Sequence, residues 1–272
     1  MIYNPETNIV KWSELLDYSE FKLLQDLPQN QLWHKEGDVF THTCLVTKCM
    51  LDYINKQNTP KYIDPEYRQI LVYSALFHDL GKAGTTELGE DGLYHCKGHA
   101  IESSEIAQNF MMQYLCLNEY VMGAIISLVR YHMQPLYIMT SKDPKKVLLK
   151  LLNNLYGISI YELLLLKFCD SEGSWQENPD NYVQTLTDVL NLYHIELGFA
   201  SGTLVKLTKL QNISGNSNQV SVGDTYTGTL QNPVTVGWRT SLGFKFSTSP
   251  VVKIIDKNHF ETKNSLYEIN LI

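Results

Sequence analysis

Through the first two-thirds of the chain apolar residues recur mostly at three- and four-residue intervals; after Gly202 they fall in short alternating runs. The first rhythm predicts helices and the second predicts strands. Lys11 to Leu27 carry Trp12, Leu15, Leu16, Phe21, Leu23, Leu24 and Leu27, a mostly helical spacing that stops at Pro28. Asp38 reads as the N-cap of the next helix, whose stripe includes Val39, Phe40, Leu45, Val46, Cys49, Met50, Tyr53 and Ile54. Pro65 opens a helix that takes Ile70, Leu71, Ala75 and Leu76 to His78 and Asp79, with Gly81 as its stop signal. The glycine-rich stretch from Ala83 to Lys97 reads as a mobile loop over the helix ends. Helical pattern resumes at His99, continues from about Asn118 to Tyr131, and ends with His132 just before Pro135. Three more helices are expected: Lys145 to Leu155, Ser159 to Asp170, and roughly Asn181 to Leu197. The second of these is apolar almost all round, which marks it as central.

Thr203–Leu207, Val220–Leu230, Val251–Ile255 and Ser265–Ile269 are the alternating runs, separated by Gly, Asn, Ser and Pro. The expected fold is mainly α with a small C-terminal all-β domain, divided as residues 1–200 and 201–272. Charge marks the same boundary, with seven basic and four acidic residues in 201–272 against fifteen and twenty-five in 1–200. The Asn/Ser-rich turn at Ser214 to Asn218 is the sole biased tract, and no repeat recurs at a fixed period. A net charge of −7 argues against coating long nucleic acid, which needs a basic face, but permits a small phosphorylated ligand or an RNA end. Five cysteines without CxxC spacing read as thiols in a reducing cytoplasm. No leader and no long apolar run suggest export or membrane insertion.

The residues with chemistry are histidines and carboxylates at helix ends. His78 and Asp79 are adjacent at the end of one helix, His42 lies near the start of another, and His99, His132 and Asp170 follow on or beside further helical segments. Imidazole and carboxylate suit a divalent ion such as Mn, Ni, Co, Fe, Zn or Mg, and the lack of candidate thiolates disfavours structural zinc. His99 and His132 could instead bind phosphate, donate a proton to a leaving group, or complete a weaker second ion site. Lys82 reads either as a point charge for substrate phosphate or as a cation at a helix C-terminus. His34, with Glu36 and Asp38, reads as capping and orienting the helix that carries His42, and His95 as a solvated loop side chain.

His42, the run FHDLGK containing His78 and Asp79, and the distant Asp170 resemble the HD-domain phosphohydrolase family. The likeness covers roughly residues 30–175. Trp33 to Thr43 (WHKEGDVFTHT), Gly98-His99-Ala100 and Arg130-Tyr131-His132-Met133 add a closer similarity to the HD domain of bacterial tRNA CCA-adding nucleotidyltransferases. The resemblance implies an HD-type helical bundle, a divalent metal held by His42, His78, Asp79 and Asp170, and cleavage of phosphoesters by metal-activated water. In that reading Asp79, His99, His132 and Lys82 are the catalytic set. Only some thirty residues precede the motif, so CCA addition is not expected of this chain alone. Two departures from the first reading, a 2′,3′-cyclic phosphodiesterase or nucleotidase acting on nucleotide or RNA-end phosphoesters, stay open. One is a hydrolase of a nucleotide second messenger or deoxynucleoside triphosphate. The other is a binding protein with a structural metal and a β-domain interaction surface.

Overall fold

A computed structural model describes residues 2–57, 60–174, 180–197, 204–213, 220–231, 234, 239–242, 246–255 and 258–271. In chain order the elements are β1 (Tyr3–Asn4), β2 (Ile9–Val10), α1 (Trp12–Leu15), α2 (Ser19–Lys22), α3 (Val39–Lys56), α4 (Pro60–Ile63), α5 (Pro65–Phe77), α6 (Lys82–Thr85), β3 (Glu87–Leu88), β4 (Tyr94–His95), α7 (His99–Tyr114), α8 (Glu119–Tyr131), α9 (Gln134–Ile138), α10 (Pro144–Asn154), α11 (Ile160–Gly173) and α12 (Asp180–Leu197). They are followed by β5 (Leu204–Asn212), β6 (Thr225–Thr229), β7 (Arg239–Leu242), β8 (Phe246–Ile254), β9 (His259–Thr262) and β10 (Ser265–Leu271). Two compact units emerge, Met1–Tyr137 with Leu155–Leu186, and Ile138–Asn154 with Thr187–Ile272.

The first unit is a helical bundle around α5. Every residue from Ile70 to Phe77 is buried, so this part of α5 shows no solvent face, and the helix packs against α3, α7, α8 and α11. Its start is fixed by Asp64, whose carboxylate accepts from Tyr67 N at 3.0 Å, with Pro65 in the first turn. Asp38 caps α3 by accepting from Thr41 N at 2.8 Å, and Asn118 caps α8 by accepting from Val121 N at 2.9 Å. Ser159 and Glu162 form a capping box on α11. The same Glu162 carboxylate also accepts from Lys61 Nζ at 2.6 Å and Tyr67 OH at 2.7 Å, so one buried acid ties α4, α5 and α11 together.

Two glycines set helix approach. A Cβ on Gly173 of α11 would lie 2.6 Å from Val46 Cγ2 and 3.0 Å from Val46 N on α3. A Cβ on Gly81 would lie 2.4 Å from the His99 carbonyl oxygen and 2.5 Å from Ser103 N at the start of α7. Only residues without a side chain allow backbones this close.

The N-terminal segment departs from the single helical stretch expected over Lys11 to Leu27. It holds two short helices, α1 and α2, preceded by the β1–β2 hairpin. Tyr3 of the hairpin is buried edge-on against Tyr73 of α5, a tertiary contact that periodicity could not signal. The stretch Ala83 to Lys97 contains most of α6 and the β3–β4 hairpin.

In the second unit, six described strands form an antiparallel sheet in the order β6-β5-β10-β9-β8-β7. Leu230, next after β6, bridges to Leu242 of β7, so the two ends of the sheet meet and the sheet curls nearly into a barrel. Val205, Leu207, Val251, Phe260 and Ile269 fill its interior. Lys209 shares that inner face and donates from Nζ to the Val220 carbonyl at 2.7 Å. The turn expected at Ser214 to Asn218 and the boundary expected at residue 200 lie outside the described residues. Among the described residues no helix is long and apolar enough to cross a membrane.

Candidate metal centre

His42, His78, Asp79, His99, His132 and Asp170, which come from α3, the α5 end, the α7 start, the α8 end and α11, meet in one buried cluster. His42 Nε2 lies 3.1 Å from Asp170 Oδ1, 3.4 Å from His78 Nε2 and 3.6 Å from Asp79 Oδ2. His78 Nε2 lies 3.3 Å from the same Asp79 oxygen. The other Asp79 oxygen, Oδ1, lies 3.3 Å from His99 Nε2 and 3.9 Å from His132 Nε2. Asp79 therefore stands between two groups of donors, His42 and His78 on one side, His99 and His132 on the other.

The tautomers follow from the acceptors behind each ring. His78 Nδ1 is 2.8 Å from the Ala75 carbonyl, His99 Nδ1 is 2.8 Å from the Cys96 carbonyl, and His132 Nδ1 is 2.7 Å from the Val129 carbonyl. A carbonyl oxygen only accepts, so each Nδ1 carries a proton and each ring turns its Nε2 inward. His99 Nε2 and His132 Nε2 are 3.2 Å apart. Burial lowers the pKa of both rings, and burial together with the crowding of His99 and His78 takes His132 down to about 3. Two Nε2 atoms thus face each other beside a carboxylate. A cation satisfies that arrangement, and backing each ligating imidazole with an oxygen acceptor is how proteins orient metal-binding histidines.

His42 is backed differently. Its Nδ1 lies 2.9 Å from Glu36 Oε1, an oxygen that also sits 2.8 Å from His34 Nδ1, and the Glu36 side chain has no exposed surface. Burial lowers the His42 pKa, but the hydrogen bonds to Asp170 and Glu36 win and raise it to about 9. His42 is thereby held between two carboxylates, and to serve as a metal ligand it would give up its Nε2 proton.

Two lysines complete the charge balance. Lys82 Nζ is buried 2.7 Å from Asp79 Oδ2 and 2.8 Å from Gln29 Oε1. Lys167 Nζ is 2.6 Å from Asp170 Oδ2. Burial opposes ionisation of both acids, yet His78 and Lys82 hold Asp79, and Lys167 with His42 holds Asp170, well below the usual carboxylate range. The Lys82 pKa is raised, because Asp79 outweighs the burial that would lower it. The surroundings of Lys82 are thus a carboxylate and an amide at the edge of the cavity.

Of the trio His34, Glu36 and Asp38, Asp38 alone caps α3, while Glu36 holds the His42 ring. His95 sits in the β3–β4 hairpin and pairs with Asp91 at 3.0 Å. Sequence reasoning passed over Lys167 and gave Gln29 and Glu36 no place beside the cluster. For Lys167 the available signal was its position one helical turn before Asp170. Asp79, His99, His132 and Asp170 form the floor of a cavity of about 430 Å³ whose walls include Gln29, Trp33, His34, Tyr94, Tyr137 and Lys167.

The donor set is all imidazole and carboxylate, buried, and supplied with its own outer acceptors, and it fits a divalent ion. No curated protein matches the chain. The HD domain matches residues 39–187, more than half of the chain, and this stretch contains all six residues of the cluster. HD domains are generally metal-dependent hydrolases, and with the match and the geometry in agreement, this chain belongs to the HD domain family.

Proposed function

We propose that the chain is a metal-dependent phosphohydrolase acting on nucleotide or RNA-end phosphoesters. His42, His78, Asp79 and Asp170 would hold one divalent ion, and Asp79, His99 and His132 offer ligands that would hold a second. The observation that carries this reading is the His99–His132 pair, two buried Nε2 atoms 3.2 Å apart beside Asp79, each ring with its Nδ1 turned to a backbone carbonyl. A divalent ion in such a site lowers the pKa of water towards neutrality and offsets charge on a phosphoryl oxygen.

The chain's own residues do the rest. Lys82 and Lys167 line the cavity and neutralise Asp79 and Asp170 when no ion is there. Their ammonium groups would be the point charges that meet the phosphoryl oxygens of substrate. Glu36 keeps His42 in register, and the carbonyls of Ala75, Cys96 and Val129 do the same for the other three rings. The sequence likeness of Trp33 to Thr43 and Gly98 to Ala100 to the HD domains of CCA-adding enzymes supports a nucleotide or RNA-end substrate. The test is metal analysis of the protein as purified, with a panel of 2′,3′-cyclic nucleotides, nucleoside monophosphates and an aryl phosphodiester assayed across Mn, Ni, Co and Mg. Phosphate or ring-opened nucleotide release that depends on added ion is expected. Failure of every substrate with every ion refutes the proposal.

A further inference from the structure

We propose that Trp33 is a stacking platform for the base of the substrate, so that the site takes phosphoesters bearing a flat aromatic group and prefers them to sugar phosphates. This rests on the phosphohydrolase reading above and goes beyond it by assigning the residue that recognises the non-reacting part of the substrate.

The cavity has two chemically different parts. Its floor is Asp79, His99, His132 and Asp170 of the cluster, and its walls bring in Trp33, Tyr94, Leu136 and Tyr137. Trp33 is 59% exposed. An indole left largely in water contributes little to the core, so its place on the cavity wall has no packing explanation.

The loop that carries it is held firmly. Trp33 N and His34 N both donate to the Asn30 carbonyl, at 3.0 and 2.9 Å, and Asn30 Oδ1 accepts from Leu32 N at 3.0 Å. On one flank Gln29 Oε1 accepts from Lys82 Nζ, and on the other His34 shares the Glu36 carboxylate with His42. The loop is thus wired to the cluster through both neighbours of Trp33's turn while the indole itself is left for the cavity. A preorganised ring costs little further order on binding. Stacking on it is tolerant of base identity, because every base has a π-face.

The experiment uses the full chain loaded with Mn²⁺, adenosine 5′-monophosphate and ribose 5-phosphate as probes, and the Trp33→Ala and Trp33→Phe variants. The first readout is the ratio of kcat/KM for the nucleotide to that for the sugar phosphate. Trp33→Ala is expected to lower this ratio by roughly 5- to 100-fold, the range found when a stacking aromatic is truncated, while Trp33→Phe keeps most of it. The second readout is stopped-flow tryptophan fluorescence: the nucleotide quenches the wild type on mixing, and this quench is lost in Trp33→Phe, which stacks but does not report. A ratio that Trp33→Ala leaves unchanged, a wild type that the nucleotide does not quench, or a quench that survives in Trp33→Phe overturns the proposal. If the wild type releases phosphate from neither probe, the phosphohydrolase reading is in question for these substrates, and the quench alone decides on stacking.

Discussion

Asp79→Asn is the substitution that most directly probes the centre, because it changes one charge while keeping the shape of a side chain that two donor groups share. In the wild type an ion binds only the folded protein, so at a hundredfold excess over Kd each site adds about 2.7 kcal/mol of stability. For a folded unit of this size that corresponds to a rise in Tm of roughly 5–10 °C per occupied site. The variant loses the bridging carboxylate and with it both gains. It also leaves the buried Lys82 ammonium, 2.7 Å from Asp79 Oδ2 in the wild type, with Gln29 alone. Breaking a buried ion pair costs about 3–5 kcal/mol, so the metal-free variant melts below the metal-free wild type. The double variant Asp79→Asn/Lys82→Met removes the stranded cation, and it should regain metal-free stability without regaining a response to Mn²⁺. Differential scanning calorimetry across a Mn²⁺ titration, with ion content per chain measured on the same samples, follows all of this. An Asp79→Asn protein that gains as much Tm and retains as many ions as the wild type would refute the bridging role.

Glu36→Gln should weaken Mn²⁺ binding about 10- to 100-fold by calorimetric titration with the fold intact, since it removes the charge behind the His42 ring. His99→Ala should lower the bound ion count by one while the His42–His78 side still fills, which equilibrium dialysis reads directly. Burial would raise the Glu162 pKa, but Lys61 and the hydrogen bonds from Ser159 and Tyr67 pull it from 4.5 down to about 2. Its stabilisation is therefore fully present above the unfolded pKa of about 4.5 and is lost as pH falls towards 2; urea titrations should show Glu162→Gln less stable by about 3 kcal/mol at neutral pH, with the gap closing across that window. Gly81→Ala should cost about 1–3 kcal/mol in thermal denaturation and empty the His99–His132 side, because its Cβ meets the His99 carbonyl, a backbone atom that no rotamer change can move.

The helices and the six clustered residues were legible because both signals are local. A 3.6-residue rhythm with Asp38 and Pro65 at helix starts gives the elements, and a His-Asp pair at a helix end gives a metal motif. The curled sheet was legible as alternation, though its strand order, set by pairings such as that of β5 with β10, was not. What stayed hidden depends on contacts between distant segments. The Cys96 and Val129 carbonyls behind the His99 and His132 rings, which fix where the Nδ1 protons are, could not be read from the chain. Nothing in the sequence neighbourhood of Lys82 announces that Gln29, on a different loop, accepts from its ammonium group. The N-terminal hairpin escaped notice because two-residue strands carry too few positions to show alternation.

His42 and Asp170 lie 128 residues apart along the chain, yet their side chains touch. An ion joining them would act as a detachable staple across a long stretch of the chain, fastened in the presence of metal and opened by a chelator. Stripping it should leave the native architecture unaltered and instead hasten unfolding and protease attack, so that resistance to proteolysis becomes a gauge of how fully the enzyme is charged.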